Sequence, residues 1–505
     1  MSLLAVDMGS SSCKAVAFSE DGRALVQKTC TYSPPESRHP SWAEMPAENF
    51  WRALVTVAQA ISAEVPQDPV EVLAISSHGE TFVPVDSQQQ AVAPAILNID
   101  SRAVAETNWL ADTLGRRRIF EITGLTAHPM YPAAKIQWLR KHQARVFASA
   151  ARFLAVPDYL LTRLGLPAYI DYSLASRFLA FDIAKRTWSA EILSACQLGP
   201  EQLPVPVPAG SVAGQLVASV AGMLGLRAGT LVVVGGHDQP CGALGSGVLE
   251  AGRVSASFGT YECLVAASRA PKLSDCAFAA HLNSYCHVVP DHYVTLAYFP
   301  SGIMLEWFLR LICPPGELTS SASIGQLCAQ LEADVPQGPS GLCIAPHLLG
   351  TCNPDFDPAA TGVIAGIRPS TSRADLYKGI LEGIACEFAN MVELLREAAG
   401  GYRDVYVSGG GARSPLGLKL RAAMAGLELH MMQCPEAVCL GTAILAGVAA
   451  GKYGGLAEAV KQVVRISETV APDTTVAESY KAQMLQYRLL YSSLAPVRRA
   501  QVACN

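Results

Sequence analysis

Val234-Gly235-Gly236-His237-Asp238-Gln239-Pro240-Cys241-Gly242-Ala243-Leu244-Gly245 is the stretch from which the fold of this chain can be inferred, and it lies close to the midpoint. The apolar residues 231–234 that lead into it predict a buried strand, and the glycines allow the backbone to turn sharply and approach a ligand. Asp238 therefore stands where a strand ends and a helix of small residues begins, a position from which a carboxylate can face a cleft. From these residues alone a second interpretation stays open, in which Asp238 only caps the helix.

Length and composition limit the classes of protein to which the chain can belong. A chain of 505 residues exceeds what one hydrophobic core usually supports, so two domains are expected. Half of the residues are hydrophobic, 16% are charged and the formal net charge is -5, which argues against nucleic acid or an anionic membrane as the main partner. The fifteen cysteines are scattered and form no Cys-x-x-Cys pair, so neither a disulfide framework nor a zinc site is expected. The N-terminus lacks the features of a secretion signal and no apolar run reaches membrane-spanning length, so a cytoplasmic location is expected.

Two strand-loop-strand segments, one at the start of each half of the chain, carry loops with glycine and hydroxyl groups. Residues 3–6 predict a short buried strand, and the loop Asp7-Met8-Gly9-Ser10-Ser11-Ser12-Cys13-Lys14 follows it. An acid, a glycine, hydroxyls and a lysine are the groups that hold Mg²⁺ and surround phosphate oxygens, although a polar hairpin loop can contain them by chance. Residues 253–260 repeat the design with Gly259 and Thr260. The repetition suggests a duplicated fold in which two phosphate-binding loops face each other across a cleft.

Polar segments also follow two further predicted strand regions in the first half. Residues 72–75 lead into Ser76-Ser77-His78-Gly79-Glu80-Thr81, and a second polar segment spans residues 95–102. Carboxylates, amides and a guanidinium at adjacent strand ends suit a ligand with several hydroxyl groups. Alternatively, Asp100 and Arg102 lie in salt-bridged surface loops. His78 can likewise be a loop residue whose hydrogen bonds are all made within the protein.

In the second half, residues 405–407 predict a strand that leads into three consecutive glycines at 409–411. A flat ring or a phosphate can lie against such bare backbone, although a flexible turn would have the same sequence.

With these loops in order, the chain resembles the FGGY carbohydrate kinases from Asp7 to about residue 447. The most specific part of the match is Met130-Tyr131-Pro132-Ala133-Ala134-Lys135-Ile136-Gln137-Trp138-Leu139-Arg140-Lys141-His142, which fits the first signature of the family throughout. The second signature is matched by residues 362–367 and 375–382, except at Gly379, where the family prefers Ala or Ser.

The resemblance implies an α/β chain with the duplicated ribonuclease H-like fold of actin, hexokinase and the chaperone ATPases, in which two domains enclose a deep cleft. The implied boundaries are 1–247 for a domain with the sugar-binding loops and 252–455 for a nucleotide-binding domain. Residues 456–505 are expected to form a helical extension that packs on the domains.

The resemblance also assigns roles to single residues. It makes Asp238 the general base that takes a proton from the sugar hydroxyl, and it makes Asp7 the ligand of Mg²⁺ on the nucleotide. The residues implied at the phosphates of ATP are Gly9, Ser10, Ser11, Ser12, Gly259, Thr260 and Gly302. The residues implied at the adenine or ribose are Gly410, Gly411 and Ser414. The residues implied at the sugar or polyol are His78, Gly79, Glu80, Asn98, Asp100, Asp238 and Gln239.

Within the family the overall pattern is most similar to that of the xylulokinases, through residues 40–44, 157–159 and 171–173. Two departures lie at the substrate end: xylulokinases usually carry Gln-Met-His-Gly where this chain has His78-Gly79-Glu80-Thr81, and Trp where it has Asn98. The first departure is similar to the Gln-Arg-Glu-Thr of glycerol kinases.

D-Xylulose, phosphorylated to D-xylulose 5-phosphate, is therefore the first expected substrate, and the alternatives are another ketose, glycerol or a deoxy-sugar. A non-catalytic, nucleotide-dependent clamp or sensor is the alternative of another class. The expected partners are ATP, Mg²⁺ and a small sugar or polyol, with neither nucleic acid nor a membrane, and a homodimer is the assembly to test.

Overall fold

Two large mixed β-sheets, one in each half of the chain, form the framework of the part of the protein that the structure describes. The computed structural model describes residues 2–313, 321–496 and 498. In the first half the strands are β1 (Ser2–Met8), β2 (Ser12–Ser19), β3 (Ala24–Thr31), β4 (Glu44–Met45), β5 (Val70–Ser77), β6 (Phe82–Val85), β7 (Ala95–Ile96), β8 (Arg152–Ala155), β9 (Tyr169–Asp171), β10 (Phe181–Asp182), β11 (Thr187–Trp188), β12 (Val205–Val207), β13 (Val212–Gln215) and β14 (Leu231–His237). The helices of this half are α1 (Glu48–Glu64), α2 (Val104–Leu114), α3 (Arg116–Thr123), α4 (Pro132–His142), α5 (Ala144–Ser149), α6 (Val156–Arg163), α7 (Tyr172–Ser176), α8 (Ala190–Cys196), α9 (Ala218–Leu224) and α10 (Asp238–Gly245).

In the second half the strands are β15 (Arg253–Phe258), β16 (Tyr261–Ser268), β17 (Asn283–Cys286), β18 (Tyr293–Pro300), β19 (Cys343–Ala345), β20 (Val363–Ala365), β21 (Asp404–Ser408), β22 (Glu428–Met432) and β23 (Ile466–Val470). The helices are α11 (Asp275–Ala279), α12 (Gly302–Ile312), α13 (Ser321–Ala333), α14 (Arg373–Ala399), α15 (Pro415–Ala425), α16 (Ala437–Ala449), α17 (Leu456–Val463) and α18 (Thr474–Ser493). None of the helices among these described residues is both long enough and apolar enough to cross a membrane.

The first sheet has the strand order β13-β14-β5-β1-β2-β3. Strands β14, β5 and β1 run parallel, whereas β2 and β3 continue from β1 as antiparallel hairpins. Residues 3–6, 72–75 and 232–234 are buried without interruption, as is typical of parallel strands covered by helices on both faces. The strands predicted at 3–6, 72–75 and 231–234 are thereby confirmed as parts of β1, β5 and β14.

The second sheet repeats this arrangement, with the strand order β17-β18-β16-β15-β21-β22-β23. Strands β15, β21 and β22 run parallel, and β16 and β18 extend the sheet from β15 in antiparallel order. Each half therefore places antiparallel hairpin strands beside parallel strands whose carboxyl ends meet at one edge. This repetition confirms the predicted duplicated α/β fold, and the strand predicted at residues 405–407 lies within β21.

The two halves are joined by the crossing of helices α10 and α16, where small residues let the backbones approach closely. A side-chain carbon at Gly245 would lie 1.9 Å from the carbonyl oxygen of Ala437, and one at Gly441 would lie 1.9 Å from that of Cys241. Helix α16 also packs against β1, β5 and β14, and its buried Leu440 belongs to the same apolar cluster as residues of the first sheet. A helix of the second half thus completes the core of the first.

The C-terminal segment is not helical throughout, in contrast to the extension expected for residues 456–505. Between α17 and α18, strand β23 pairs antiparallel with β22 at the edge of the second sheet. The strand is almost wholly exposed, so it has no apolar alternation that sequence reading could detect, and backbone hydrogen bonds to the edge define it. Helix α18 begins at Thr474, where the Asp473 carboxylate accepts hydrogen bonds from the first turn, and it packs against α15 and β19. Residues 497 and 499–505 of the expected extension lie outside the described residues.

Candidate active site

The carboxyl ends of the central parallel strands of the first sheet bring predicted site residues to one edge. In the registers of β1 with β5 and of β5 with β14, Asp7 lies beside Ser76, and Ser77 lies beside His237. The loop after β5 and the first residue of α10, Asp238, continue directly from these positions. Residues far apart in the sequence are therefore neighbours because parallel strands end at the same edge.

Asp238 is the first residue of α10, and the N-cap position is His237, whose side chain makes no capping hydrogen bond. The side chain of Asp238 is 22% exposed, and its Oδ1 accepts a hydrogen bond of 2.6 Å from the N–H of Gln239. Burial raises the pKa of Asp238 well above its usual value, and the carboxylates of Asp7 and Glu80 raise it further. A partly exposed carboxyl with a raised pKa is suited to accept a proton from a bound hydroxyl.

Asp7 is half-buried, and the hydroxyl of Ser76 lies 3.4 Å from its Oδ1. Burial raises the pKa of Asp7 to about 6, against the opposing charge of Lys14. Mg²⁺ usually keeps several waters and binds through one or two carboxylates plus phosphate oxygens, so one half-buried aspartate beside a hydroxyl-bearing loop fits a nucleotide-bound Mg²⁺.

The loop that follows Asp7 presents its hydroxyls outward. The N–H of Gly9 donates to the carbonyl of Ser12 over 2.9 Å, which closes the hairpin, and Ser10 and Ser11 are exposed at its tip. Next to the loop, the ammonium of Lys14 contacts the carboxylate of Glu436, just before α16, at 2.5 Å. The first of the predicted phosphate loops therefore lies where the first half meets the second.

The predicted phosphate loops of the second half also come together. Gly259 and Thr260 are exposed at the turn between β15 and β16, and the N–H of Gly302, at the start of α12, donates to the carbonyl of Gly259 over 3.2 Å. A side-chain carbon at Gly302 would lie 2.3 Å from that carbonyl oxygen. Gly409 has φ of +94°, and a side-chain carbon there would lie 2.5 Å from the carbonyl oxygen of Phe258. Glycine is thus required where the loops touch.

A cavity of about 390 Å³ opens beside these loops and includes Gly410, Gly411 and Ser414 in its lining. The hydroxyl of Ser414 donates to Glu332 over 2.7 Å, and the hydroxyl of Tyr377 donates to the same carboxylate oxygen over 2.9 Å. A cavity with bare backbone on one side and aromatic and carboxylate groups on the other can take a flat heteroaromatic base.

At the predicted substrate end, His78 is bound at both ring nitrogens. Its Nδ1 lies 2.7 Å from the carbonyl oxygen of Met8, its Nε2 lies 2.7 Å from the hydroxyl of Thr81, and 6% of the residue is exposed. The carbonyl fixes Nδ1 as the protonated nitrogen, so Nε2 accepts from Thr81. This corresponds to the internally satisfied histidine considered above, and a ligand would have to displace one of these bonds to reach a ring nitrogen.

Asn98 and Asp100 differ in whether their side-chain oxygens already accept hydrogen bonds within the protein. The amide oxygen of Asn98 is buried without a hydrogen-bond partner among the described residues, so it is a free acceptor at this end of the cleft. The carboxylate of Asp100 accepts from the N–H of Ala43 over 2.6 Å and from the Arg102 guanidinium, which lies 4.2 Å from the ring centre of Trp42. Asp100 therefore holds two loops together, and a direct contact with a sugar would require breaking this buried network.

Among the described residues at the predicted substrate end, two buried cations were missed by sequence reasoning. Lys135 is fully buried and donates to the carbonyl of Leu97 over 2.6 Å, and burial lowers its pKa to about 7. Arg177 forms a buried ion pair with Glu80. The detectable signal was a charge within an apolar stretch: Lys135 lies in the first signature segment, and Arg177 interrupts the apolar residues 174–181.

Another group of potential metal ligands lies away from this edge. Asp404, Glu428 and His430 have ligand atoms within 4.8 Å of one another at the amino ends of β21 and β22, and Asp7 is not part of this group.

Comparison with known proteins adds four findings. A family model described as the FGGY family of carbohydrate kinases, N-terminal domain, matches residues 2–245, and the model of the C-terminal domain of that family matches residues 254–450. A relative named xylulose kinase, from Escherichia coli strain K12, is 29% identical over 501 residues, covering 98% of this chain and 99% of that protein. A relative named gluconokinase, from Bacillus subtilis strain 168, is 24% identical over 489 residues, covering 95% and 94%. The crystal structure of xylulose kinase from Rhodospirillum rubrum superposes with a TM-score of 0.85 at 25% identity, covering 99% of this chain and 100% of that one.

Proposed function

Because the chain belongs to the FGGY family of carbohydrate kinases and is thus an ATP-dependent carbohydrate kinase, we propose that its acceptor is D-xylulose, converted to D-xylulose 5-phosphate. The observation that carries the proposal is the position of Asp238 at the sheet edge it shares with Asp7 and the loop that bears Glu80. The sugar is chosen because a relative named xylulose kinase matches nearly the whole chain.

In the proposed reaction, Asp238 accepts the proton of the acceptor hydroxyl as the hydroxyl oxygen attacks the terminal phosphorus of ATP. The bond from that phosphorus to the bridging oxygen breaks, and ADP leaves. The raised pKa of its carboxyl brings its basicity closer to what proton transfer near neutral pH requires. Phosphoryl transfer needs little covalent chemistry from the protein, so positioning of the hydroxyl and the phosphate supplies most of the acceleration. We assign the sugar contacts to the loop of His78, Gly79 and Glu80, to Asn98 and to Gln239.

The nucleotide is proposed to lie across the junction of the two halves. The N–H and hydroxyl groups of residues 9–12 and the loops at Gly259, Thr260 and Gly302 would bind the phosphates. The cavity lined by Gly410, Gly411 and Ser414 would take the adenine or ribose. Mg²⁺ held by Asp7 would neutralise negative charge on the phosphates. The domain boundaries proposed for this arrangement are 1–247 and 252–455, with 456–505 packed on them.

An ADP-release assay with a panel of acceptors tests the proposal. D-Xylulose is expected to give the highest kcat/KM in a panel that also contains D-ribulose, D-fructose, glycerol and D-gluconate. Gluconate belongs in the panel because a relative over most of the chain is named gluconokinase. A higher kcat/KM for another acceptor would reassign the substrate, and inactivity toward every acceptor while ATP binds would contradict the proposed reaction.

A further inference from the structure

An ion pair that the sequence analysis did not identify lies near Asp238. The Nε–H of Arg177 donates a hydrogen bond to Oε1 of Glu80, and 4% and 5% of these two side chains are exposed. The guanidinium also lies over the rings of Tyr131 and Tyr285, at 5.3 and 4.9 Å from their centres. The pair is therefore held from several sides and is removed from bulk water.

The backbone before this pair is shaped to accommodate it. Glu80 has φ of 65°, in the left-handed region that residues with a side chain rarely adopt. A side-chain carbon at Gly79 would lie 3.0 Å from Cγ of Arg177, so the small residue leaves room for the arginine against the loop. Unfavourable backbone conformations of this kind persist where the surroundings hold them, and they cluster at functional sites.

The other cations near this end of the cleft are already engaged. Lys135 is fully buried, and its ammonium donates to the carbonyl of Leu97 over 2.6 Å. Arg102 forms ion pairs with Asp100 at 2.7 Å and with Glu44 at 2.8 Å. The charge of Arg102 is therefore compensated by two carboxylates, and Lys135 has no exposed surface through which an anion could reach its ammonium.

The nearby imidazoles add no positive charge. Burial lowers the pKa of His78, lowers that of His237 well below its usual value, and lowers that of His128 to about 4. Among the described residues, Asp7 and Asp238 form no ion pair with a lysine or arginine, and the contact of Asp238, at 3.2 Å, is with the imidazole of His237. These two carboxylates therefore bias the cleft beside them toward negative charge.

We infer that the Glu80–Arg177 pair makes the acceptor site selective for uncharged polyhydroxy compounds and against sugar acids. The inference rests on the proposed kinase function of this site, but not on D-xylulose as its substrate. A carboxylate on the acceptor would lie near Asp238 and would meet no cation there, among the described residues, that is both exposed and unpaired, and an uncompensated charge in a buried site is costly. A neutral ketose or polyol carries no such cost.

Glu80 is the residue that keeps Arg177 from acting as a receptor for a carboxylate. Nη1 of Arg177 is buried without a hydrogen-bond partner among the described residues, so a donor of the guanidinium is still free. Glutamine at position 80 would keep the shape and the acceptor oxygen but remove the charge. The substitution Glu80→Gln would therefore leave an uncompensated positive charge beside the acceptor and shift the preference toward sugar acids.

Binding of xylitol and D-xylonate in the absence of ATP measures this preference, because the two compounds differ by an alcohol or a carboxylate at one terminal carbon. The wild-type protein is expected to bind xylitol more tightly. Glu80→Gln is expected to raise the ratio of xylonate to xylitol affinity by roughly tenfold to a hundredfold. The double variant Glu80→Gln/Arg177→Met should return the ratio toward the wild-type value.

The exposed pair of Arg118 and Glu191, 2.7 Å apart, supplies the matched control, because Glu191→Gln removes a paired charge of the same kind outside the cleft. The ratio of xylonate to xylitol affinity of Glu191→Gln is expected to equal that of the wild type. A wild-type protein that binds xylonate at least as tightly as xylitol would overturn the inference, and this measurement needs no variant to fold. A ratio unchanged in Glu80→Gln, with melting temperature and ATP binding preserved, would overturn it as well. Turnover of D-xylulose is measured separately. If D-xylulose is not turned over but the xylonate-to-xylitol affinity ratios are as expected, the proposed substrate is contradicted and the inference stands.

Discussion

Replacing Asp238 by asparagine is expected to lower turnover by about 10² to 10⁴ while leaving ATP affinity unchanged. The amide keeps the shape of the side chain, and its oxygen can still accept the 2.6 Å hydrogen bond from the N–H of Gln239, so the first turn of α10 is preserved. What the variant loses is the proton acceptor. The expected factor corresponds to about 3 to 5 kcal/mol of activation free energy.

The same substitution is expected to stabilise the folded protein at neutral pH. Because burial and the carboxylates of Asp7 and Glu80 raise the pKa of Asp238 above 3.8, its ionised form is less favourable in the folded chain than in the unfolded chain. This cost is absent well below pH 3.8, grows as the pH rises, and becomes constant above the pKa of the folded state. Asparagine does not carry the cost, so the melting temperature of the variant relative to the wild type should increase with pH through this range.

Three measurements test this prediction together: turnover by ADP release, ATP affinity by calorimetry, and melting temperature from acidic to neutral pH. Asp112→Asn, at an exposed position of α2, is the matched control and should behave as the wild type in all three. Turnover within about tenfold of the wild type would remove Asp238 from the role of base. A variant that is less stable than the wild type at neutral pH would refute the electrostatic argument, because it would mean that the carboxylate is favourable where it lies.

Three further changes have expected outcomes. Asp7→Asn should raise the Mg²⁺ concentration needed for half-maximal activity. It should also move the acid limb of the pH profile of kcat/KM to lower pH, because the Asp7 carboxylate raises the pKa of Asp238. An acid limb that stays at the wild-type pH would contradict this coupling. Gly302→Ala should raise the KM for ATP by about tenfold or more, because its side-chain carbon would lie 2.3 Å from the neighbouring loop, whereas Gly401→Ala, in open space, should leave that KM unchanged. Arg102→Met should lower the free energy of unfolding by about 3 to 5 kcal/mol in urea denaturation, because it leaves a buried carboxylate unpaired, and a loss below about 1 kcal/mol would speak against a tightly held pair.

The sequence was informative where a local pattern determines the structure. Continuous apolar runs such as residues 231–234 identified the parallel strands, because strands buried on both faces need apolar residues without alternation. The position of Asp238 followed from the glycines and the strand that precede it. Strand β23 escaped detection because its exposed residues carry no apolar pattern and its pairing depends on an edge formed some 35 residues earlier, at β22.

The partners of individual side chains could not be predicted, because they depend on contacts between distant parts of the chain. Arg177 pairs with Glu80, which lies 97 residues away in the sequence. Asp100 accepts a hydrogen bond from the N–H of Ala43, which lies 57 residues away. The sequence identified these side chains as polar groups near a ligand. Only the fold determines which of them already have hydrogen-bond partners within the protein. The amide oxygen of Asn98 has no hydrogen-bond partner in the described part of the chain, whereas His78 has both ring nitrogens bound.

The interlocked glycines of α10 and α16 also bear on how the protein can be divided. Since α16 covers strands of the first half, a fragment that stops near residue 247 would expose an apolar sheet surface to solvent. Separate production of the halves should therefore yield insoluble material. Heating the intact chain should melt both halves in a single cooperative step. The contact between these two helices therefore makes the halves inseparable as folding units.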